Sequence, residues 1–512
     1  IWMSSSNAVL DVNDDIFWRN GSSESISYGN IYVADNWTFE NGTSFTPGSD
    51  NTVTFDGSSS QSIYAYDSNS YFANLVIDNS ASVIWLSNSS TYDIHVNNDL
   101  TLTNDSRLQV ETTTLTIDET LDIEDGSKIY LEDVGGEMEL NSDFTLNGEL
   151  DIDGGDVLCH GEFELASTGI LTIDGGSFID DGIFNHMRRY IRGNLNISDG
   201  LFEIRYNDLY ITSTCTSNIT DGTIKVGDAF TAIYAGTFQP SGGTVELTAN
   251  NISTVFKCSN GNYFYNLTIN STIDNIVYPS TDILIQNNLE IVSGKFSLHN
   301  EYEVTVNNNV NIYDQLKLAY ANDILSVGND IIWHSGSDDY DLTNGTINIS
   351  GNWYFNDGTN AQLGTGNTVN FVGSTTQNIY CYDADAAFGS VDVDKSGGNL
   401  IINAGSSYPM QVDGDMDLIS VNDFYLQNED LVVEGTLDIY NGSTLNIGTL
   451  GSLTNNSDFT LNGELDVGEG DAFIHREFEL VPTGILTIDG GSFICSDEIN
   501  DTSYIYGELN IS

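Results

Sequence analysis

The twelve residues TGILTIDGGSFI stand at positions 168–179 and again, letter for letter, at 483–494. Successive side chains of a strand point to opposite faces, so Leu171 and Ile173 share one face while Thr172 and Asp174 share the other. Gly175 and Gly176 then form a corner that accepts positive φ, and a second short strand follows. An enzyme seldom needs two copies of a site, whereas a structure stacked from equivalent units needs its units to match. This reading predicts Ile173 and Ile488 pointing inward at equivalent levels of two coils, with Thr172 on the opposite face.

The duplication extends far beyond these twelve residues. SDFTLNGELD recurs at Ser142 and Ser457, YIRGNLNIS at Tyr190 matches YIYGELNIS at Tyr504, and LDVNDDIFW ending at Trp18 matches LSVGNDIIW ending at Trp333. Residues 1–198 (block A) therefore correspond to 316–512 (block A′), and 199–315 (block B) occur once. Within them, TVTFDGSSSQSIYAYDSNSYFANLVID at Thr52, TVELTANNISTVFKCSNGNYFYNLTIN at Thr244 and TVNFVGSTTQNIYCYDADAAFGSVDVD at Thr368 align without a gap, which makes block B a diverged partial copy.

A finer period lies beneath. DLTLTNDSRLQVETTTLTI, TLDIEDGSKIYLEDVGGEMEL, DFTLNGELDIDGGDVLC and EFELASTGILTIDGGSFID are successive lines of three short alternating strands. No helical period of useful length is visible. A line of about 20 residues is a solenoid period. The expected fold is all-β: an elongated parallel β-helix (β-solenoid) with three short strands per coil, roughly 24 coils in one continuous rod, apolar inside and laddered with Thr, Asn, Asp and Tyr outside.

Composition restricts the partners. Thirteen Lys plus Arg face 75 Asp plus Glu, a net charge of -62, which repels phosphate backbones and anionic lipid surfaces. Nucleic acid and membrane surfaces are therefore poor partners, and no direct membrane insertion is expected of this segment, in which no stretch approaches the roughly 20 apolar residues of a membrane span. The first residues, IWMSSSNAVL, show neither an initiator Met nor a signal-peptide pattern, as expected of a processed or excised polypeptide. The five cysteines have no CxxC spacing, and Cys159, Cys381 and Cys495 align with Ile474, Ala65 and Asp180. A shared disulfide or metal framework would have kept its ligands in both copies, so buried thiols are expected, with one or two bridges, between molecules included, as the alternative.

GTSFTPGSDNTVTFDGSSSQSIYAYD and NGNYFYNLTIN resemble the repeats of very large secreted surface proteins of bacteria and archaea, in which GTFxPG…TVxFxG…QxI…FxNLxI recurs. Copies begin near Gly42, Gly236 and Gly358, the third lacking the Pro. The resemblance implies a cell-surface, extracellular location and a β-solenoid architecture. It carries no catalytic residues.

Candidate sites follow from residue chemistry. The acidic pairs Asp14-Asp15, Asp180-Asp181 and Asp338-Asp339 are the candidates for the paired carboxylates of a polysaccharide-active β-helix enzyme. Asp180 and Asp181 become Cys495 and Ser496 in the other copy, so these pairs are expected to be solvated faces. The basic run His186 to Arg192 offers Arg188, Arg189 and Arg192 for docking on a neighbouring subunit, or for neutralising adjacent acids. His160 and His475 are equivalent and are expected to be satisfied strand-edge histidines, and Trp18, Trp37, Trp333 and Trp353 to be core rather than glycan platforms. The corners at Asp153, Asp174 and Asp489 are Ca²⁺ candidates, since oxygen-binding divalent cations relieve stacked carboxylates. No other cofactor is required. Sixteen N-x-S/T sequons include Asn36, Asn41, Asn88, Asn196, Asn344, Asn441 and Asn510 as glycosylation candidates.

The expected function is that of a non-enzymatic structural protein of the cell exterior. The chain would assemble with copies of itself, through solenoid ends or sides, into or over a surface filament, sheath or layer. The alternative is an adhesin or receptor stalk that binds glycan or another cell. Strand patterns run to both limits of the sequence without a cap, so the end coils are expected to be open or paired to a neighbour.

Overall fold

The structure is a computed structural model describing residues 1–20, 25–87, 89–132, 135–183, 187–250, 253–271, 275–299, 301–339, 341–496 and 503–512. Among these residues all regular structure consists of strands, paired in parallel and stacked as a β-solenoid of about 22 turns. No helix among them is long and apolar enough to cross a membrane. Coils take 19 to 26 residues. The longer ones carry corner segments such as 40–49, which hold the GTSFTPG motif, so fewer coils fit the chain.

The chain divides into two compact units, Ile1–Asn250 with Cys258–Tyr265, and Asn251–Lys257 with Asn266–Ser512. The single strand Asn194–Ile204 runs through the A/B boundary, and Gln315–Leu318 through the B/A′ boundary.

The opening motif shows how the stack forms. Leu150 pairs with Leu171 and Leu171 with Leu195, while Ile152, Ile173 and Ile197 make the next column. All six side chains are at most 1% exposed. In register beside them, Asp151, Thr172 and Asn196 form a half-buried outer ladder. The inside-outside assignment of Ile173 and Thr172 is therefore as the alternation predicts. Ile170–Asp180 passes through Asp174-Gly175-Gly176 as one strand with a register irregularity against Asn194–Ile204. Gly176 adopts φ +62°, and a Cβ there would lie 1.9 Å from the Gly155 carbonyl oxygen, so any side chain would force neighbouring coils apart.

Aromatic side chains fill the interior where coils are wide. In the first unit Trp18, Trp37, Phe39, Phe45 and Phe72 pack at centroid distances of 4.5 to 5.7 Å. Trp333, Trp353, Phe355 and Phe388 repeat the cluster in the second. All four tryptophans are buried, and their indole N–H groups meet no hydrogen-bond acceptor, so they are core and not glycan platforms. At the C-terminal coil Leu509 and Ile511 are 42% and 71% exposed, whereas their equivalents Leu195 and Ile197 are covered by the following coil.

Candidate functional site

Parallel in-register stacking puts equivalent outward side chains one strand spacing apart, about 4.8 Å. Short polar side chains at such spacing reach one another. Asn308 Nδ2 donates to Asn287 Oδ1 at 3.0 Å and to Asn288 Oδ1 at 2.9 Å, and Asn329 Nδ2 donates to Asn309 Oδ1 at 2.8 Å. Asp330 continues the series by accepting the Asn352 backbone N–H at 2.7 Å, and Asn352 Oδ1 accepts that of Asn378 at 2.8 Å. Each amide donates to one coil and accepts from the next, so a single corner ladder ties successive coils together through side chains as well as backbone.

Where the ladder residue is a carboxylate, the same spacing creates repulsion. Asp392, Asp417 and Asp438 are in register on three consecutive strands. Burial, followed by the charges of Asp392, Asp438 and Asp415, pushes the Asp417 carboxyl up to about 6. Elsewhere a cation is interleaved. Lys128 Nζ lies 2.7 Å from Glu149 and 2.9 Å from Asp151. His160 bridges Asp181 at 2.7 Å and Glu139 at 3.2 Å. Burial lowers the basicity of His160, but these two carboxylates more than reverse it. His475 meets Ser496 Oγ at 3.2 Å, so both histidines are partnered at strand edges.

The acidic pairs divide. Asp180 is not a solvated residue: it is fully buried and held by Arg189, with Nε to Oδ2 at 2.5 Å and Nη2 to Oδ1 at 3.2 Å. Asp180 has the inward parity of Phe178, and Arg189 that of Ile191, so alternation carries both charges inside. Arg189 is thereby removed from any docking surface. Arg192 pairs with Glu164 and lies 4.8 Å from the Tyr190 ring centroid. Arg188 is exposed, 5.4 Å from the Tyr210 ring centroid. Local neutralisation thus accounts for Arg189 and Arg192, and of the three arginines only Arg188 is an exposed residue. His186 lies outside the described residues. Asp338 and Asp339 are half-buried, and burial followed by the neighbouring Asp338 carboxyl pushes Asp339 up to about 6.

Asp153, Asp174 and Asp489 are all exposed corner residues. Asp174 accepts from Ser198 Oγ and Asp489 from Ser512 Oγ, so two of the three are engaged by serines. Among the described residues the acids whose ligand atoms gather within 4.8 Å of one another are instead Asp14, Asp15 and Asp35. Asn36 Nδ2 sits 2.9 Å from both Asp15 Oδ1 and Asp35 Oδ1, which ties up that sequon amide. Asn196 and Asn344 are likewise half-buried and hydrogen-bonded, to Thr172 and to Ala319. Asn41, Asn441 and Asn510 are exposed, and Asn88 lies outside the described residues. All five cysteines are thiols, four buried and Cys495 exposed.

A cleft absent from the motif reading lies in block A′. About 390 Å³ in volume, it is lined by Asp357, Tyr382, Ser407 and Tyr408. Three consecutive coils supply these residues. Tyr382 N–H bonds the Phe355 carbonyl at 2.8 Å, and Ser407 N–H and Tyr408 N–H bond the Cys381 carbonyl at 2.8 and 3.2 Å. Beside it the Tyr354 and Tyr380 rings stack at 4.5 Å and 4°, and Tyr380 and Tyr382 at 6.0 Å and 26°. The only sequence signal was the repeated IYxYD. No protein-family model, curated protein or solved structure matches the chain.

Proposed function

We propose that the chain is a non-enzymatic structural protein of the cell exterior, a repeat subunit that assembles with copies of itself into or over a surface filament, sheath or layer. The observation that carries this reading is the Asn and Asp ladder from Asn287 to Asn378, in which polar side chains hold coil to coil instead of converging on a substrate. A solenoid built this way distributes load over many equivalent bonds. The surface location rests on the resemblance of the GTSFTPG…FANLVID segments to secreted surface repeats. Divalent cations, Ca²⁺ in particular, fit as ladder counter-ions and not as a catalytic centre. Electron microscopy of native surface material tests the reading. Ordered polymers or lattices labelled by an antibody to this chain support it. Isolated labelled rods that bind a glycan array would transfer the assignment to an adhesin stalk.

A further inference from the structure

Block A contains the frame of the tyrosine cleft but differs in its charge. Asn41, Tyr66, Thr91 and Tyr92 stand where block A′ has Asp357, Tyr382, Ser407 and Tyr408. The backbone bonds are the same: Tyr66 N–H to the Phe39 carbonyl at 2.8 Å, and Thr91 N–H and Tyr92 N–H to the Ala65 carbonyl at 2.8 and 3.1 Å. Tyr92 and Tyr408 are 43% and 42% exposed. The two positions therefore share two tyrosines and one hydroxyl residue, and differ mainly in an amide against a carboxylate.

We infer that the block A′ cleft is a binding site for an organic ammonium group and that its block A counterpart is not. An alkylammonium is attracted to the negative face of an aromatic ring within about 6 Å. Tyr382 and Tyr408 supply two such rings from adjacent coils, and the stack of Tyr354 and Tyr380 fixes the first. The exposed Asp357 carboxylate, which has no basic partner among the described residues, supplies the counter-charge. Its position is set by the next residue, because Gly358 N–H donates to the buried Asp383 carboxylate at 2.7 Å. A net charge of -62 concentrates cations at the surface, while the rings select an apolar cation over a hydrated metal ion, for which one carboxylate is a poor ligand set.

The test uses the whole chain labelled with 3-fluorotyrosine, with ¹⁹F resonances assigned through Tyr382→Phe and Tyr408→Phe. Titration with tetramethylammonium chloride, against sodium chloride at equal ionic strength, is expected to shift both resonances saturably. Asp357→Asn, which writes the block A residue into block A′, should weaken binding at least about tenfold. Asn41→Asp should create a second site at Tyr66 and Tyr92. N-acetyl-lysine methylamide as an alternative titrant separates a protein-borne primary ammonium from a quaternary head group, according to which binds more tightly. Shifts no larger than those given by sodium, or affinity unchanged in Asp357→Asn, overturn the inference. So does cellobiose binding equally to parent and Asp357→Asn, which would make the cleft a neutral sugar site. Unaltered circular dichroism and melting of both variants exclude misfolding as the cause of any loss.

Discussion

The Arg189 guanidinium clamps the Asp180 carboxylate inside the solenoid, and one repeat later Ser503 and Cys495 occupy the same two positions, with Oγ and Sγ 3.2 Å apart. Both charges are lost together. A buried charge deprived of its partner is far more costly than a neutral pair in the same space. Cys495 in place of Asp180 alone points to a solvated acid, but the exchange is of a pair, not of one residue.

Arg189→Ala should therefore cost about 3–5 kcal/mol, read as a fall in urea midpoint. Asp180→Cys combined with Arg189→Ser should cost clearly less than Arg189→Ala alone. If the double variant is the less stable of the two, the positions are not interchangeable.

Ile173 is fully buried and its neighbour Thr172 sits in the outer ladder. Ile173→Asp should cost several kcal/mol, on the order of the unpaired burial of a polar group. Thr172→Asp should cost under about 1 kcal/mol, the residual coming from Asp151, which is in register with it. Thermal melting of the two variants side by side is the measurement, and equal tolerance would invert the face assignment.

The fold was legible because it depends on parity and repetition, both of which a sequence displays. The coil count was less so, since corners such as 40–49 lengthen a turn without disturbing the strand pattern. Parity also marked Asp180 and Arg189 as inward-facing. That signal is outweighed by the expectation that charges are solvated, and it becomes decisive only when the structure brings Asp180 and Arg189 together. Of the cleft only the repeated IYxYD was legible: Asp357, Tyr382 and Tyr408 are brought together by three coils whose lengths determine which residues become neighbours.

Thiol chemistry should follow burial. Burial pushes the thiols of Cys159, Cys215 and Cys381 up to about 12, and raises Cys258 as well. Under native conditions one thiol per chain, that of Cys495, should react with Ellman's reagent, and five should react after denaturation. Peptide mapping after alkylation identifies it. Fast labelling of any of the other four would mean that the coils open locally.

Carboxylate ladders without interleaved cations should respond to divalent ions. Chelator at low ionic strength should lower the melting temperature, and Ca²⁺ should restore it more fully than Na⁺ at equal ionic strength, because an oxygen-binding cation can bridge neighbouring carboxylates. Asp392, Asp417 and Asp438 are in register with one another, and Asp14, Asp15 and Asp35 have clustered oxygens. Equal recovery by both salts would leave screening as the whole effect.

The same ladder sets a pH dependence opposite to that of salt-bridged acids. Asp417 and Asp339 each have a folded-state pKa raised to about 6, against about 3.9 for an unfolded Asp. Between those values the folded chain binds more protons than the unfolded one, so stability falls as pH rises and is lost through pH 6. His160, held by Asp181 and Glu139, acts in the same direction near neutrality, because its raised basicity contributes stability only while it is protonated. The melting temperature should accordingly be higher at pH 5 than at pH 7.5. Asp417→Asn places a neutral amide between Asp392 and Asp438, in the column that Asn348 and Asn370 begin. It should raise the melting temperature at pH 7.5, leave it nearly unchanged at pH 5, and so flatten the profile. A parent profile that climbs from pH 5 to pH 7.5, or a variant profile parallel to the parent's, would show that Asp417 is not a repelled ladder carboxylate.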